Sequence, residues 1–250
     1  MNSELIRNDF PILKTKVGGH QIVYFDNAAT TQRPLPVVNA VLDYTTHENG
    51  NPHRGAHIFA ISASEAYDTS KEVVRDFINA RSEKEIIYTR NTSESLNLVA
   101  RSYGETHLKA GDHILITIAE HHSNLVTWQR VAQKTGAILD YIYVDKETGH
   151  FPEEELKKID DPRVKLFAFA EVSNVLGIDF DPKPLIQRAH AHGAIVVLDG
   201  AQSTPHKPVD VQDLDCDFFA FSGHKMCSMG GIGVLYGKEE LLNDMEPFLM

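Results

Sequence analysis

The sequence predicts an α/β fold in which helices cover both faces of a mostly parallel sheet, and three observations predict it. Short β-branched runs alternate with helical patterns over most of the chain, as in a series of strand–helix units. Residues with chemical potential fall just after these runs, where ligands gather at the carboxyl ends of parallel strands. There is no internal repeat, low-complexity tract or linker rich in Pro, Gly or Ser, so one continuous domain is expected.

The elements follow in order. Gln21–Phe25 opens the pattern as a candidate strand, and Leu35–His47 is a candidate helix with Pro34 placed for its first turn. The helix Phe59–Ala80 precedes the strand Glu85–Thr89, and Ser93–Tyr103 is the helix after it. The strand His113–Ile118 leads to the helix Asn124–Lys134, which Gly136 stops, and then to the strand Ala137–Val144. The apolar strand Val164–Ala170 precedes the helix Pro184–His192, which Gly193 stops. Ala194–Leu198, Asp217–Phe221 and Gly233–Tyr236 complete the candidate strands.

At 250 residues, with 42% hydrophobic and 24% charged content, the chain can bury one substantial core, or one large domain with a small appendage. A formal net charge of −11 argues against a nucleic-acid surface, so any anionic ligand has to be met locally. The first ten residues are too polar and acidic for a secretory or mitochondrial leader, and no apolar stretch approaches the roughly 20 residues that span a bilayer. The two cysteines, Cys216 and Cys227, form neither a disulfide framework nor a zinc pattern, and a reducing cytoplasm is the expected setting.

Two residues carry the strongest chemical signal. Asp199 follows an apolar strand and begins Asp199-Gly200-Ala201-Gln202, while Lys225 ends Ser222-Gly223-His224-Lys225 after the next apolar run. A lysine amine that condenses with an aldehyde, and a carboxylate that keeps a pyridine nitrogen protonated, are the two groups a pyridoxal 5'-phosphate (PLP) site requires. Alone, Asp199 reads better as a helix cap, or as an acid for a ribose hydroxyl, and Lys225 as a solvated end; Gln202 three residues after the acid, and the acid and lysine together, favour the cofactor. Gln202 can donate to the phenolic oxygen of the ring, and Ser222 and His224 can donate to its phosphate.

Three loops are more equivocal. Asn91 and Glu94 are spaced as a capping box, and the same helix start, with the hydroxyls of Thr92 and Ser93, is a ready anion site. In Glu120-His121-His122-Ser123-Asn124 no third ligand stands at metal-binding spacing. One imidazole is expected to stack on the cofactor ring as lid and proton carrier, and the other to be structural. The cluster His53-Arg54-Gly55-Ala56-His57 reads either as a solvated loop or as a contact to substrate or to a neighbouring active site.

Taken together, Tyr24–Thr31, His53-Arg54-Gly55, Asn79-Ala80, Asn91–Glu94, Glu120–Asn124, Val172–Gly177, Asp199–Gln202 and Ser222–Lys225 resemble the class V aminotransferase group of PLP fold type I, and within it a Suf-type cysteine desulfurase. The resemblance implies a mostly parallel seven-stranded sheet sandwiched by helices over residues 21–250, preceded by an N-terminal arm over 1–20. It implies a homodimer that converts L-cysteine to L-alanine and passes sulfane sulfur to a Suf-type acceptor for iron–sulfur cluster assembly. By motif position Lys225 is the Schiff-base lysine, Asp199 meets the pyridine nitrogen, Gln202 meets the ring oxygen and His121 stacks. Thr92, Ser93, Ser222 and His224 hold the phosphate, and Asn174 lies near the substrate carboxylate.

Two departures accompany the resemblance. The family's persulfide-forming cysteine and its carboxylate-clamping arginine lie in a C-terminal small domain beyond Met250, so poor turnover is expected of these 250 residues alone. The usual Gly-Pro-Thr-Gly after the lysine is Ser228-Met229-Gly230-Gly231 here. Cys227, tied to the lysine segment, is not expected to replace the missing nucleophile, and Cys216 is expected in the core. Selenocysteine lyase, aminotransferase and a non-catalytic fragment are the alternatives. A nicotinamide dehydrogenase is disfavoured because no Gly-x-Gly-x-x-Gly follows an early strand.

Overall fold

The computed structural model describes residues 3–248; Met1, Asn2, Leu249 and Met250, at the ends of the expected arm and large domain, lie outside the described residues. The chain begins with helix α1 (Ser3–Asn8) and the hairpin β1 (Lys16–Val17) and β2 (His20–Gln21), followed by α2 (Leu35–Asp43) and α3 (Ile58–Phe77). Strand–helix alternation then takes over: β3 (Ile86–Thr89), α4 (Thr92–Val99), the single turn α5 (Glu105–His107), β4 (His113–Thr117), α6 (His122–Thr135) and β5 (Ile138–Ile142). It continues through α7 (Glu153–Leu156), β6 (Val164–Ala170), α8 (Pro182–Ala191), β7 (Ile195–Asp199), α9 (Val211–Leu214), β8 (Phe218–Ser222), β9 (Gly233–Gly237) and α10 (Glu239–Asp244).

Seven strands form one sheet in the order β3-β9-β8-β7-β6-β4-β5, and only β9 runs against the others. This is the expected mostly parallel sheet sandwiched by helices. Period-two alternation along β6 divides the core. Leu166 and Ala168 face Leu96 and Val99 of α4 and Trp128 and Val131 of α6, whereas Phe167 and Phe169 face Leu185, Ile186 and Ala189 of α8. All these side chains are at least nine-tenths buried, so both sheet faces are dry and the reactive residues are left to the strand ends.

The expected strand Gln21–Phe25 does not form beyond Gln21. Val23 is 76% exposed and Phe25 91%, and without a neighbouring strand to supply ladder hydrogen bonds an apolar run has no reason to stay extended in a sheet. Helix α2 also stops short of His47. Thr45 and Thr46 turn their hydroxyls back onto the carbonyl oxygens of Val41 and Leu42, and the last residues, Tyr44–Glu48, wind into a wider π turn. Pro34 precedes the first turn as its cap, with Pro36 inside it. Gly136 and Gly193 take the left-handed conformation that ends a helix, at φ 78° in each case.

Gly233 has a packing role. It pairs with Thr89 on one side and Ser222 on the other, and a Cβ there would lie 2.5 Å from the Asn91 backbone. We expect Gly233→Ala to displace the turn before α4 and to lower stability by about 1–3 kcal/mol in urea unfolding; wild-type stability would show that this turn yields without cost.

Candidate active site

The carboxyl edge of the sheet gathers one reactive side chain from almost every strand. Asp199 ends β7, Ser222 ends β8 and leads into the turn carrying His224 and Lys225, and β3 leads to Asn91, Thr92 and Ser93 at the start of α4. Strand β4 leads to Glu120 and His121 at the start of α6, and β6 leads to the loop carrying Asn174. All nine residues singled out from the sequence, Lys225, His121, Thr92, Ser93, Asp199, Gln202, Ser222, His224 and Asn174, line one cavity of about 530 Å³.

At one end of the cavity the hydroxyls are already assembled. The Thr92 backbone N–H donates to Ser222 Oγ at 2.7 Å, and the Thr92 and Ser222 hydroxyls are 2.6 Å apart. Asn91 caps α4, its side-chain oxygen accepting from Glu94 N–H at 2.9 Å. The other half of the expected capping box differs: Glu94 reaches past Asn91 to the backbone N–H and guanidinium of Arg90, so the acid steadies the loop before the cap.

The charged groups line the same cavity. Burial raises Asp199 to about 6, opposed by the Ala201 N–H that it accepts at 2.9 Å and by the Lys225 ammonium. Burial lowers Lys225, and Asp199 opposes that shift. At neutral pH the carboxyl is therefore largely ionised, while the amine is easier to deprotonate than a lysine in water. His121 and His224 are both held below the usual histidine value by burial and then by Lys225, with His122 adding to the first and Arg33 to the second.

His121 caps α6: its Nδ1 accepts the Ser123 backbone N–H at 3.1 Å, so the proton of the neutral ring is on Nε2. His122, expected to be structural, is exposed on the first turn of α6. The Gln202 amide donates to the Ala28 carbonyl at 2.8 Å, which ties the glutamine to the chain before α2. His53 and Arg54 are not among the lining residues; the His53 N–H donates to Ser64 Oγ and its ring faces Asp68 and Tyr67. Cys216 is fully buried, as expected of a core residue.

Two features were missed. The segment Asp26–Arg33 closes on the lysine turn: the Thr31 N–H and the Thr30 and Thr31 hydroxyls donate to the His224 carbonyl, and Arg33 Nε donates to the Ser228 carbonyl. Its motif was visible, but a loop without periodicity gives no partner. Glu120 was passed over beside its histidines. Its carboxyl accepts from the Thr117 hydroxyl, from Asn124 Nδ2 at 2.6 Å and from the Ala170 N–H at 3.0 Å, tying β4, β6 and α6 together beneath the cavity. An acid one residue before the candidate histidine, at a strand end, was the available signal.

Burial raises Glu120 to about 8, with Asp199 adding to the rise and the three hydrogen bonds opposing it. The folded chain thus keeps a proton that the unfolded chain loses near 4.5. Its stabilising contribution is complete below that value and is lost as pH rises through about 8. In urea unfolding at several pH values, wild type should lose on the order of 2–4 kcal/mol more than Glu120→Gln over this window. Parallel stability curves for the two proteins would rule out this protonation.

With this geometry in hand, the Aminotransferase class-V family profile matches residues 23–250. A "Probable cysteine desulfurase" of Synechocystis sp. is 49% identical over 97% of this chain and 58% of its own length. One of Halalkalibacterium halodurans is 49% identical over 99% of this chain and 61% of its own. Among solved structures, the apo cysteine desulfurase of Thermococcus onnurineus NA1 superposes with a TM-score of 0.91 at 43% identity, covering 99% of this chain and 60% of that one. The S-sulfonic acid form of the cysteine desulfurase CsdA of Escherichia coli gives 0.86 at 39% identity, covering 100% and 61%. The chain therefore spans about three-fifths of the length of these relatives. Class V aminotransferases and cysteine desulfurases depend on PLP, the cofactor expected from Asp199 and Lys225. The match over nearly all of its length establishes that this chain belongs to the aminotransferase class-V family.

Proposed function

We propose that the chain is the PLP-binding part of a cysteine desulfurase that takes L-cysteine to L-alanine and hands sulfane sulfur to an acceptor thiol of a Suf-type partner. The observation that carries this reading is the convergence of Lys225, Asp199 and the Thr92–Ser222 hydroxyl cluster on one cavity. Its donor set fits the cofactor. A helix start with hydroxyls suits a phosphate, a buried carboxylate suits a pyridinium, and a partly desolvated amine suits an aldehyde.

In this reading Thr92, Ser93, Ser222 and His224 hold the phosphate, Asp199 the ring nitrogen and Gln202 the ring oxygen. Lys225 would hold the cofactor's aldehyde carbon, and His121 would lie against its ring. The bound cofactor supplies an electron sink for the carbon that loses its proton. The chain's residues do the rest. Lys225 Nζ, kept available by burial, takes the proton from the substrate Cα and returns a proton as alanine forms. His121 Nε2 presents its proton to the cavity because Nδ1 is occupied by the Ser123 N–H. The Asp199 carboxylate would keep the ring nitrogen protonated, and Asn174 lines the same cavity, where it can meet a substrate carboxylate.

The dimeric state and setting belong to the same proposal. Val38, Val41 and Leu42 of α2 and Ile58, Ile61 and Val73 of α3 are 41–71% exposed, an apolar face that a second copy would cover. Among the described residues no helix is long and apolar enough to cross a membrane, and two free cysteines suit a reducing cytoplasm. The sulfur is expected to enter iron–sulfur cluster assembly.

Incubation with PLP should give a visible absorbance band that Lys225→Ala abolishes, and the variant should lose turnover by about 10²–10⁴-fold or more. With an added acceptor thiol, the low turnover expected of these 250 residues should convert L-cysteine to alanine and the persulfide of that thiol in equal amounts. A keto acid as the product would replace the desulfurase reading with transamination, and no band at saturating PLP would remove the cofactor site.

A further inference from the structure

Ser123 stands between the two halves of the cavity. Its hydroxyl is 2.5 Å from Ser93 Oγ at the start of α4 and 3.0 Å from His121 Nδ1 at the start of α6. Its backbone N–H donates to the same imidazole nitrogen. A hydroxyl has one proton to give, so Ser123 donates either to the ring or to Ser93. Ser93 decides which. When the Ser93 proton points at Ser123, the Ser123 proton is left for His121. When the Ser93 proton is given to an anion, Ser93 Oγ accepts from Ser123 instead, and the Ser123 hydroxyl turns away from the ring.

We propose that Ser123 is a positioning residue that reports occupancy of the anion cradle to His121: an anion on the Thr92–Ser93 turn leaves His121 Nδ1 with the Ser123 backbone N–H as its one remaining donor. The inference rests on the phosphate reading of that turn and deepens it. A ring nitrogen that loses a donor becomes more basic, so the imidazole is a weak base in the empty site and a better proton carrier once the phosphate is seated. Burial, then Lys225 and His122, hold the ring's basicity down. Asp26, Arg90, Asp199 and His224 share the cavity, while the Ser123 hydroxyl pairs with Ser93 and His121.

The test uses the whole cofactor-free chain, labelled with ¹⁵N in its backbone and histidine rings, and sodium sulfate as a dianion that does not titrate near neutrality. At saturation, sulfate should move the Thr92 and Ser93 amide signals and raise the apparent pKa of His121. In Ser123→Ala the direct attraction of the anion remains, but the rise should shrink by about half, and Ser123→Thr, which keeps the hydroxyl, should restore it. An equal rise in wild type and Ser123→Ala would overturn the proposal and leave the cradle standing. Thr92 and Ser93 amides unmoved by sulfate would overturn the cradle reading and this inference with it.

Discussion

The site depends on one buried charge. Asp199 is 5% exposed at the end of β7, a central strand flanked by β6 and β8, and its Coulombic support there comes from Lys225 on the turn after β8. A carboxylate at that depth costs folding energy unless paired and hydrogen-bonded, and the fold supplies a local answer in the Ala201 N–H and the lysine. The chain leaves β7 at a glycine for a related reason. A Cβ on Gly200 would lie 2.0 Å from the Phe219 ring, so the turn that carries Ala201 and Gln202 can pass over the core only without a side chain at that position.

A second, partly buried acid sharpens the arrangement. Glu120 accepts three hydrogen bonds, yet burial and the neighbouring Asp199 charge keep it protonated at neutrality, whereas Asp199, raised by burial but relieved by the Ala201 N–H and then by Lys225, ionises at about 6. Two carboxyls close together rarely ionise together, and here the environments assign the proton to one and the charge to the other. The charge falls on the acid that faces the cavity. The proton falls on the acid that knits Thr117, Ala170 and Asn124 together and so fixes where His121 begins its helix.

What was legible from the sequence followed from period and position. The fully buried strands, Val164–Ala170 above all, announce themselves by apolar content, and residues placed just past such strands are bound to meet at the carboxyl edge once the strands are parallel. That is why nine residues scattered between positions 92 and 225 could be gathered in advance. What escaped depends on partners that spacing alone does not select. Gln21–Phe25 has strand composition but no neighbour, Glu94 has capping-box spacing but found Arg90, and Gln202 has a free amide in sequence but an Ala28 carbonyl in space. Spacing states what a side chain can reach, and packing decides what it does reach.

The lysine turn shows how a departure from the family pattern is accommodated. Ser228-Met229-Gly230-Gly231 lacks the proline that would stiffen the usual sequence, and Cys227 sits at φ 66°, a left-handed conformation that costs a non-glycine residue about 1–2 kcal/mol. Bonds from outside the turn offset that cost. Thr31 Oγ1 accepts the Cys227 N–H at 2.8 Å, and Arg33 Nε donates to the Ser228 carbonyl at 3.1 Å, both from the segment before α2. The same segment grips His224, next to the lysine. Rigidity that the family writes into the turn is supplied here by contacts nearly two hundred residues away in sequence, so the orientation of Lys225 is a property of the N-terminal segment as much as of its own loop.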